Sequence, residues 1–161
     1  VKSILVNLTK LSGVKASIYT IVTEDSKISF WDCFVNEYRK DYIEDLSNIA
    51  GRLISIGNKV GALSQYFKLD EGLEWNDLVC ALYDLPDKHL RLYCIRLSEE
   101  MIIIGNGGPK GVRTWQEDAK LSKEVHEMMH YSRIIRKKLA DGSLKISSDG
   151  LKFEGNLMLT R

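Results

Sequence analysis

Leu78 to Arg113 reads LVCALYDLPDKHLRLYCIRLSEEMIIIGNGGPKGVR, and this stretch decides the fold. Apolar residues alternate with polar ones in LVCALYD and HLRLYCIRL, and a third apolar run, MIII, follows. A period of two marks a strand, because successive side chains point to opposite faces of a sheet. Pro86-Asp87 and Ser98-Glu99-Glu100 punctuate the runs as turns. The stretch therefore predicts three antiparallel strands over Leu78–Ile104, the central sheet of the molecule. Leu90, Leu92 and Cys94 share one face of the middle strand, while Arg91, Tyr93 and Ile95 share the other; Arg96 falls at the end of the Leu face. If helices cover the Leu and Cys face, Arg91 and Tyr93 stand on an open one, where a Tyr can stack a base and an Arg can bind its phosphate. The competing reading pairs Arg91 with Asp84 across the hairpin and packs Tyr93 over a neighbour.

The same stretch ends in GNGGPKGVR. Gly lets backbone N–H groups approach an anion, and Lys110 and Arg113 add charge near a helix start that already favours anions. A triphosphate loop needs Gly-Lys-Ser/Thr opening a helix, whereas here Lys110 precedes Gly111, Val112 and Arg113. The plain alternative is a flexible connection from strand to helix.

Outward from this centre, ILVNLTKL and VKASIYTIV flank Ser12-Gly13 and predict an N-terminal β-hairpin over 1–25, with Gly13 at positive φ and Ile4, Val6 and Leu8 on one face. Trp31, Phe34, Val35 and Tyr38 recur at helical spacing, as do Tyr42, Leu46, Ile49, Leu53 and Ile56, giving two amphipathic helices, the second with a capping-box-like start at Asp41 and Glu44. Thr114 and Glu117 form a capping box before Leu121, Val125, Met128, Ser132, Ile135 and Leu139, which mark one face of the longest helix until Asp141-Gly142 stops it. Asp149-Gly150 turns a small hairpin in the extension 143–161. The fold class is α+β in a single domain over 1–161: hairpin, two helices, antiparallel sheet, long C-terminal helix, terminal hairpin.

With 161 residues, 44% of them hydrophobic, the chain fits one core of its own. Its 23 basic and 22 acidic residues nearly cancel, so any polyanion binding rests on local charge. Lys88 to Arg113 is such a locality, since it holds Lys88, Arg91, Arg96, Lys110 and Arg113 against Glu99 and Glu100. Tyr66 to Asp87 is the reverse, with Lys68 facing Asp70, Glu71, Glu74, Asp77, Asp84 and Asp87. Cys33, Cys80 and Cys94 have no metal-type spacing and sit in apolar runs, so they read as reduced core thiols. No apolar run approaches the roughly 20 residues that span a bilayer, and no leader pattern opens the chain, so the expectation is a cytoplasmic protein without a membrane.

His126-Glu127-Met128-Met129-His130 matches HExxH, in which two histidines one helical turn apart hold zinc and the glutamate is general base. Helical phase places His126, His130, Arg133 and Lys137 on a cation-rich face away from Val125, Met128 and Ile135. No His follows His130, the third ligand would fall to Asp141, Asp149 or Glu154, and Arg133 would repel a dication. A zinc hydrolase is disfavoured; neither a metal nor a cofactor is expected.

QYFKLDEG, then DLVCALYDLPDKHLRLYCIRLSEEMIIIGNGGPK, then the helix opening at TWQED resemble the RelE/ParE/HigB-like toxins of type II toxin–antitoxin systems. The resemblance covers about Phe30 to Leu139 and leaves the first hairpin and the last residues as additions. It implies a small α+β fold, two helices followed by an antiparallel sheet whose exposed face carries the active residues. It also implies a cytoplasmic toxin: a metal-independent, ribosome-dependent endoribonuclease acting on mRNA, neutralised by a helix-turn-helix antitoxin protein. By the same resemblance the central-strand arginine is Arg91 or Arg96, Arg91 and Arg113 stabilise the phosphorane-like state, Lys110 binds or activates, Tyr93 stacks the base, and Lys68 adds a phosphate contact. The alternatives are a non-catalytic protein-binding module of the same fold and a gyrase-directed relative.

Overall fold

In HLRLYCIRL the alternation becomes a nine-residue interior strand of the sheet, Leu90–Ser98, and its neighbours form around it. A computed structural model describes residues 2–69, 71–72, 78–83, 85–110 and 118–160. Among them β1 is Lys2–Asn7, β2 Ser17–Thr23, α1 Phe30–Tyr38, α2 Ile43–Ser55, β3 Phe67–Lys68, β4 Val79–Leu82, β5 Leu90–Ser98, β6 Met101–Pro109, α3 Ala119–Asp141, β7 Leu144–Ile146, β8 Phe153–Gly155 and β9 Met158–Thr160. The chain is α+β. Seven strands form one sheet in the order β3-β4-β5-β6-β2-β1-β9, antiparallel throughout except that β2 runs parallel to β6; β7 and β8 form the small terminal hairpin. The N-terminal hairpin thus continues the central sheet instead of standing beside it.

Both faces of this sheet are covered. On one, Cys80, Leu82, Leu92, Cys94, Ile102 and Ile104 pack under Trp31, Phe34 and Tyr38 of α1 and Leu46, Ile49 and Leu53 of α2. On the other, Val79, Tyr93, Ile95 and Ile103 pack under Leu121, Val125, Met128 and Ile135 of α3, with Leu144, Phe153 and Leu159 closing the core at its C-terminal side. At about 25 cal/mol per Å² of apolar area, the two cores supply the main drive to fold. The expected open face does not exist: α3 lies on it, so Tyr93 is fully buried and Arg91 is 2% exposed.

Local chemistry explains where the elements begin and end. Ser29 caps α1 by accepting from Asp32 N at 3.0 Å, and Asp118 caps α3 by accepting from Leu121 N at 3.0 Å. Gly142, at φ +82°, ends α3 in the left-handed conformation that the Asp141-Gly142 signal predicts. The capping box at Thr114 and Glu117 lies outside the described residues. At α2 the expected start at Asp41 differs: Tyr42 is the cap residue and makes no side-chain cap bond.

One further expectation is corrected, and the buried face of β1 is settled. Ser12-Gly13 is not the tip of a two-residue turn, because β1 and β2 are joined by residues 8–16 and Gly13 is not at positive φ. Ser12 instead donates to Asn7 Oδ1 and accepts from Ile18 N, and Gly13 lets the chain pass against Asn58 and Gly57 O, where a Cβ would come within 2.4 and 2.6 Å. In β1 the buried residues are Ser3 and Leu5, while Ile4 and Val6 are exposed. The physical reason is a buried hydrogen bond, Ser3 Oγ to Tyr131 Oη at 2.7 Å, which satisfies a polar group on the α3 face.

Candidate functional site

Neighbouring strands fix where the basic residues meet. Lys68 of β3 pairs with Ala81 of β4, which pairs with Tyr93 of β5, so these three side chains share the α3 face. Arg91 stands two residues before Tyr93 on the same face and pairs with Gly108 of β6. Between β3 and β4 the chain returns Glu71 to this row: its N donates to Val79 O at 3.0 Å. Glu71 Oε1 lies 3.7 Å from Arg91 Nη1 and 3.7 Å from Lys68 Nζ. One carboxylate thus sits between two cations. Arg91 and Glu71 are withdrawn from water, whereas the Lys68 side chain is 48% exposed.

Lys110 is exposed and directly follows β6, where its N donates to His89 O at 2.7 Å. It stands at the same end of the sheet as Arg91, because Leu90 pairs with Pro109. Arg113 lies outside the described residues. Arg96 is not part of this group: it sits at the far end of β5, and its Nε donates to Ala62 O at 2.8 Å. It ties down the chain that leaves α2. Asp84, the carboxylate expected across from Arg91, also lies outside the described residues.

The glycines of GNGGP are strand, not loop. Leu92 pairs with Gly107 and Cys94 with Ile104, which leaves one extra residue on β6 at Gly105-Asn106, a β-bulge. A Cβ on Gly107 would lie 1.8 Å from Arg91 O, and one on Gly105 would lie 2.3 Å from Met128 Sδ. Gly107 therefore lets β5 approach β6, and Gly105 lets α3 settle on the sheet. Their backbone is committed to the ladder rather than held open for an anion.

His126 is exposed on α3 and its Nδ1 is 2.8 Å from Ser122 O. A carbonyl can only accept, so Nδ1 is the donor in this contact. His130 is half-buried one turn on. Among the described residues no group of three His, Cys, Asp or Glu is placed to hold a metal ion. No helix among them is long and apolar enough to cross a membrane.

Glu71 and Asp45 escaped the sequence reading. Glu71 looked like one of several acids upstream of the strands, and only the return of the chain after β3 shows that it meets Arg91. Asp45, buried on α2, accepts from His89 N at 2.6 Å and Leu90 N at 3.1 Å. It thereby fixes the start of β5, the strand that carries Arg91. The helical spacing of α2 would place Asp45 beside Leu46 and Ile49, and a charged residue next to a core stripe was the only available signal. The cavity between α2, the chain after it and the end of β4, about 340 Å³, is lined by Arg52, Ile56, Val60, Tyr66, Leu82 and Tyr83 and does not include Arg91. No family model, curated relative or solved structure matches the chain.

Proposed function

We propose that the protein is the toxin component of a type II toxin–antitoxin system, a RelE/HigB-like endoribonuclease that acts on mRNA at the ribosome and is neutralised by a helix-turn-helix antitoxin. The supporting observation is the group Arg91, Lys68 and Glu71 on the antiparallel sheet, at the end of β5 where Lys110 leaves β6. Cleavage through the ribose 2′-OH requires a base, cations for the charge gathering on phosphorus and an acid for the departing 5′-oxygen. Glu71 is the carboxylate in position to accept the 2′-OH proton, Arg91 and Lys110 to neutralise the phosphorane, and Lys68, the more exposed cation, to hold a neighbouring phosphate. Arg113 joins them in this reading as a further cation. Tyr93 is too deeply buried to stack a base in this arrangement.

A second reading has its own observation. Because α3 covers the face and Arg91 is 2% exposed, RNA reaches Arg91 only if the cover opens; a non-catalytic protein-binding module of the same fold needs no opening. Induced expression separates the two. The toxin reading expects growth arrest with mRNA cleaved only during translation, and relief of both by Arg91→Gln with Lys110→Gln. Normal growth on induction of folded wild-type protein, or arrest that persists undiminished in that double variant, would sink it.

A further inference from the structure

Two of the three cysteines face each other across the sheet, and the group at Arg91 uses neither. Cys80 of β4 and Cys94 of β5 are direct partners in the antiparallel ladder, and both side chains belong to the core under α1 and α2. Arg96 N donates to Leu78 O at 3.0 Å, which makes Leu78 and Arg96 a hydrogen-bonded pair. Pairs alternate along such a ladder, so Val79 and Ile95 are the open kind and Cys80 and Cys94 are hydrogen-bonded again. A pair of this kind holds its Cα atoms about 5.5 Å apart, inside the range of about 4.4 to 6.8 Å that a disulfide spans. The Cys94 thiol is also hydrogen-bonded to Cys80. The two sulfurs are therefore neighbours.

A bond between them has to draw the strands together. The Cβ atoms of a hydrogen-bonded pair sit near the wide end of about 4.5 to 5.5 Å, whereas a relaxed disulfide holds them about 3.8 Å apart. β4 is the strand that yields. It has four residues with the two-residue β3 outside it, while β5 has nine and pairs with β6 along its other side. The strain that remains keeps the bond easy to reduce. Cys80 is 1% exposed and Cys94 0%, so an oxidant reaches them through brief opening of this edge, and a small one is favoured.

We propose that Cys80 and Cys94 are a reversible disulfide site, oxidised by hydrogen peroxide, whose bond clamps β4 to β5. One thiol, as its thiolate, attacks the peroxide; the O–O bond breaks, and a sulfenic acid and hydroxide form, the hydroxide taking up the thiol's proton as water. The other thiol then attacks the sulfenic sulfur. The S–S bond forms, the S–O bond breaks, and a second water leaves with the second proton. Two electrons pass from the thiols to the peroxide, which ends as two waters. The clamp bears on the row at Arg91, because Val79 and Ala81 flank Cys80: Val79 O accepts from Glu71 N, and Ala81 pairs with Lys68. Drawing β4 inward moves both attachments with it. The proposal stands on the register of β4 and β5 and does not depend on the toxin reading.

The test is peroxide oxidation of the full chain at mildly alkaline pH, where the reactive thiolate is better populated, followed by trypsin without reductant. Trypsin cuts after Lys68, Lys88, Arg91 and Arg96, so Cys80 lies in the peptide 69–88 and Cys94 in 92–96. Mass spectrometry should find these two peptides linked, at the sum of their masses less two hydrogens, and dithiothreitol should part them. In Cys33→Ser, the intact chain should pass from two maleimide-reactive thiols after denaturation to none, and wild type carries the peptide test if that variant does not fold. Hydrogen exchange at the amides of 79–82 should slow by at least about tenfold on oxidation and recover with dithiothreitol, and Cys80→Ser should show no such change. Linkage between chains instead of within one, oxidation to sulfinic acids with the peptides unlinked, or survival of both thiols under peroxide that fully modifies Cys33 would overturn the proposal. So would exchange at 79–82 that the bond leaves unchanged. These readouts involve neither RNA cleavage nor growth, so normal growth on induction rejects the toxin reading alone, and arrest without the linked peptides rejects the disulfide alone.

Discussion

Replacing Gly107 by Ala isolates what the glycines after Ile104 do. The added methyl would lie 1.8 Å from Arg91 O, 2.8 Å from Arg91 C and 3.1 Å from Leu92 Cα, all backbone atoms of β5. An ordinary carbon–oxygen contact is about 3.5 Å, so the strands must part by well over an ångström, and no rotamer relieves this. Parting them disturbs the pairs Arg91–Gly108 and Leu92–Gly107. Losing two ladder bonds at about 1 kcal/mol each, with about 1 to 2 kcal/mol of lost packing, gives about 3 to 4 kcal/mol. That is a large part of a typical domain stability of roughly 5 to 15 kcal/mol. Gly105→Ala meets the flexible end of Met128 instead and should cost about 1 to 2 kcal/mol. Gly51→Ala, in α2 with nothing within 4 Å, should stabilise by about 0.5 to 1 kcal/mol. Urea unfolding followed by tryptophan fluorescence measures all three, with midpoints compared at unchanged slope. The reasoning fails if Gly107→Ala stays within about 1 kcal/mol of wild type, or if Gly105→Ala is the costlier change. A phosphate-cradle role would give another pattern, with stability kept and anion binding lost.

Asp45→Ala removes the acceptor of two backbone N–H groups at the start of β5 and should destabilise by about 2 kcal/mol, with Asp45→Asn restoring roughly half in the same urea assay. The Cys94 thiol is held well above its ordinary range by its hydrogen bond to Cys80 and by burial, and burial followed by Asp32 raises Cys33. Iodoacetamide near neutral pH should therefore leave Cys94 unmodified in native protein, as read by mass spectrometry; rapid native alkylation there would contradict the packing of β4 on β5. Asp141 and Asp149 are held below the ordinary aspartate value of 3.8 by hydrogen bonds from Ser143 and from Ser147 respectively. A depressed carboxylate contributes stability that is fully present above its unfolded pKa and lost as pH falls through the folded one, so this contribution disappears on acidification below about 4. Carbon-detected NMR titration should find both midpoints below 3.8, with Ser147→Ala raising that of Asp149.

The sheet was legible because its signal is local. Alternation through Leu78–Ile104, the helical stripe from Leu121 to Ile135, and Asp-Gly at 141–142 and 149–150 each report the backbone within a few residues of themselves. What was not legible depends on residues far apart in sequence. The exposure of Arg91 and Tyr93 was conditional on one helical layer, and it failed because α3 supplies a second. GNGGP read as a loop because glycine contributes nothing to an alternation count and because the bulge at Gly105-Asn106 shifts its phase. Alternation in β1 does not say which of its faces is buried: Ser3 and Leu5 are inside and Ile4 and Val6 outside, with the Ser3 hydroxyl bonded to that of Tyr131. Nothing in the local sequence states that Glu71 returns to Arg91, or that β2 runs parallel to β6.

That return gives the sharpest way to decide what Arg91 is for. A buried ion pair is weak evidence for stability, because taking both charges out of water offsets most of their attraction. Removing Glu71 alone, as Glu71→Leu, takes away a buried carboxylate 3.7 Å from the guanidinium and should cost about 3 kcal/mol. Replacing both partners, Arg91→Met with Glu71→Leu, fills the same space with apolar groups under α3 and should recover most of that loss. A pair kept only to hold the fold would then be dispensable, and the double variant would match wild type in the growth assay. A pair kept for chemistry gives the opposite result: stability near wild type with arrest abolished. The assay is urea unfolding beside induced growth, on the two single variants and the double. If the double variant is as unstable as Glu71→Leu, the pair is structural in a way that burial and distance do not explain, and Arg91 loses its standing as the residue on which the toxin reading turns.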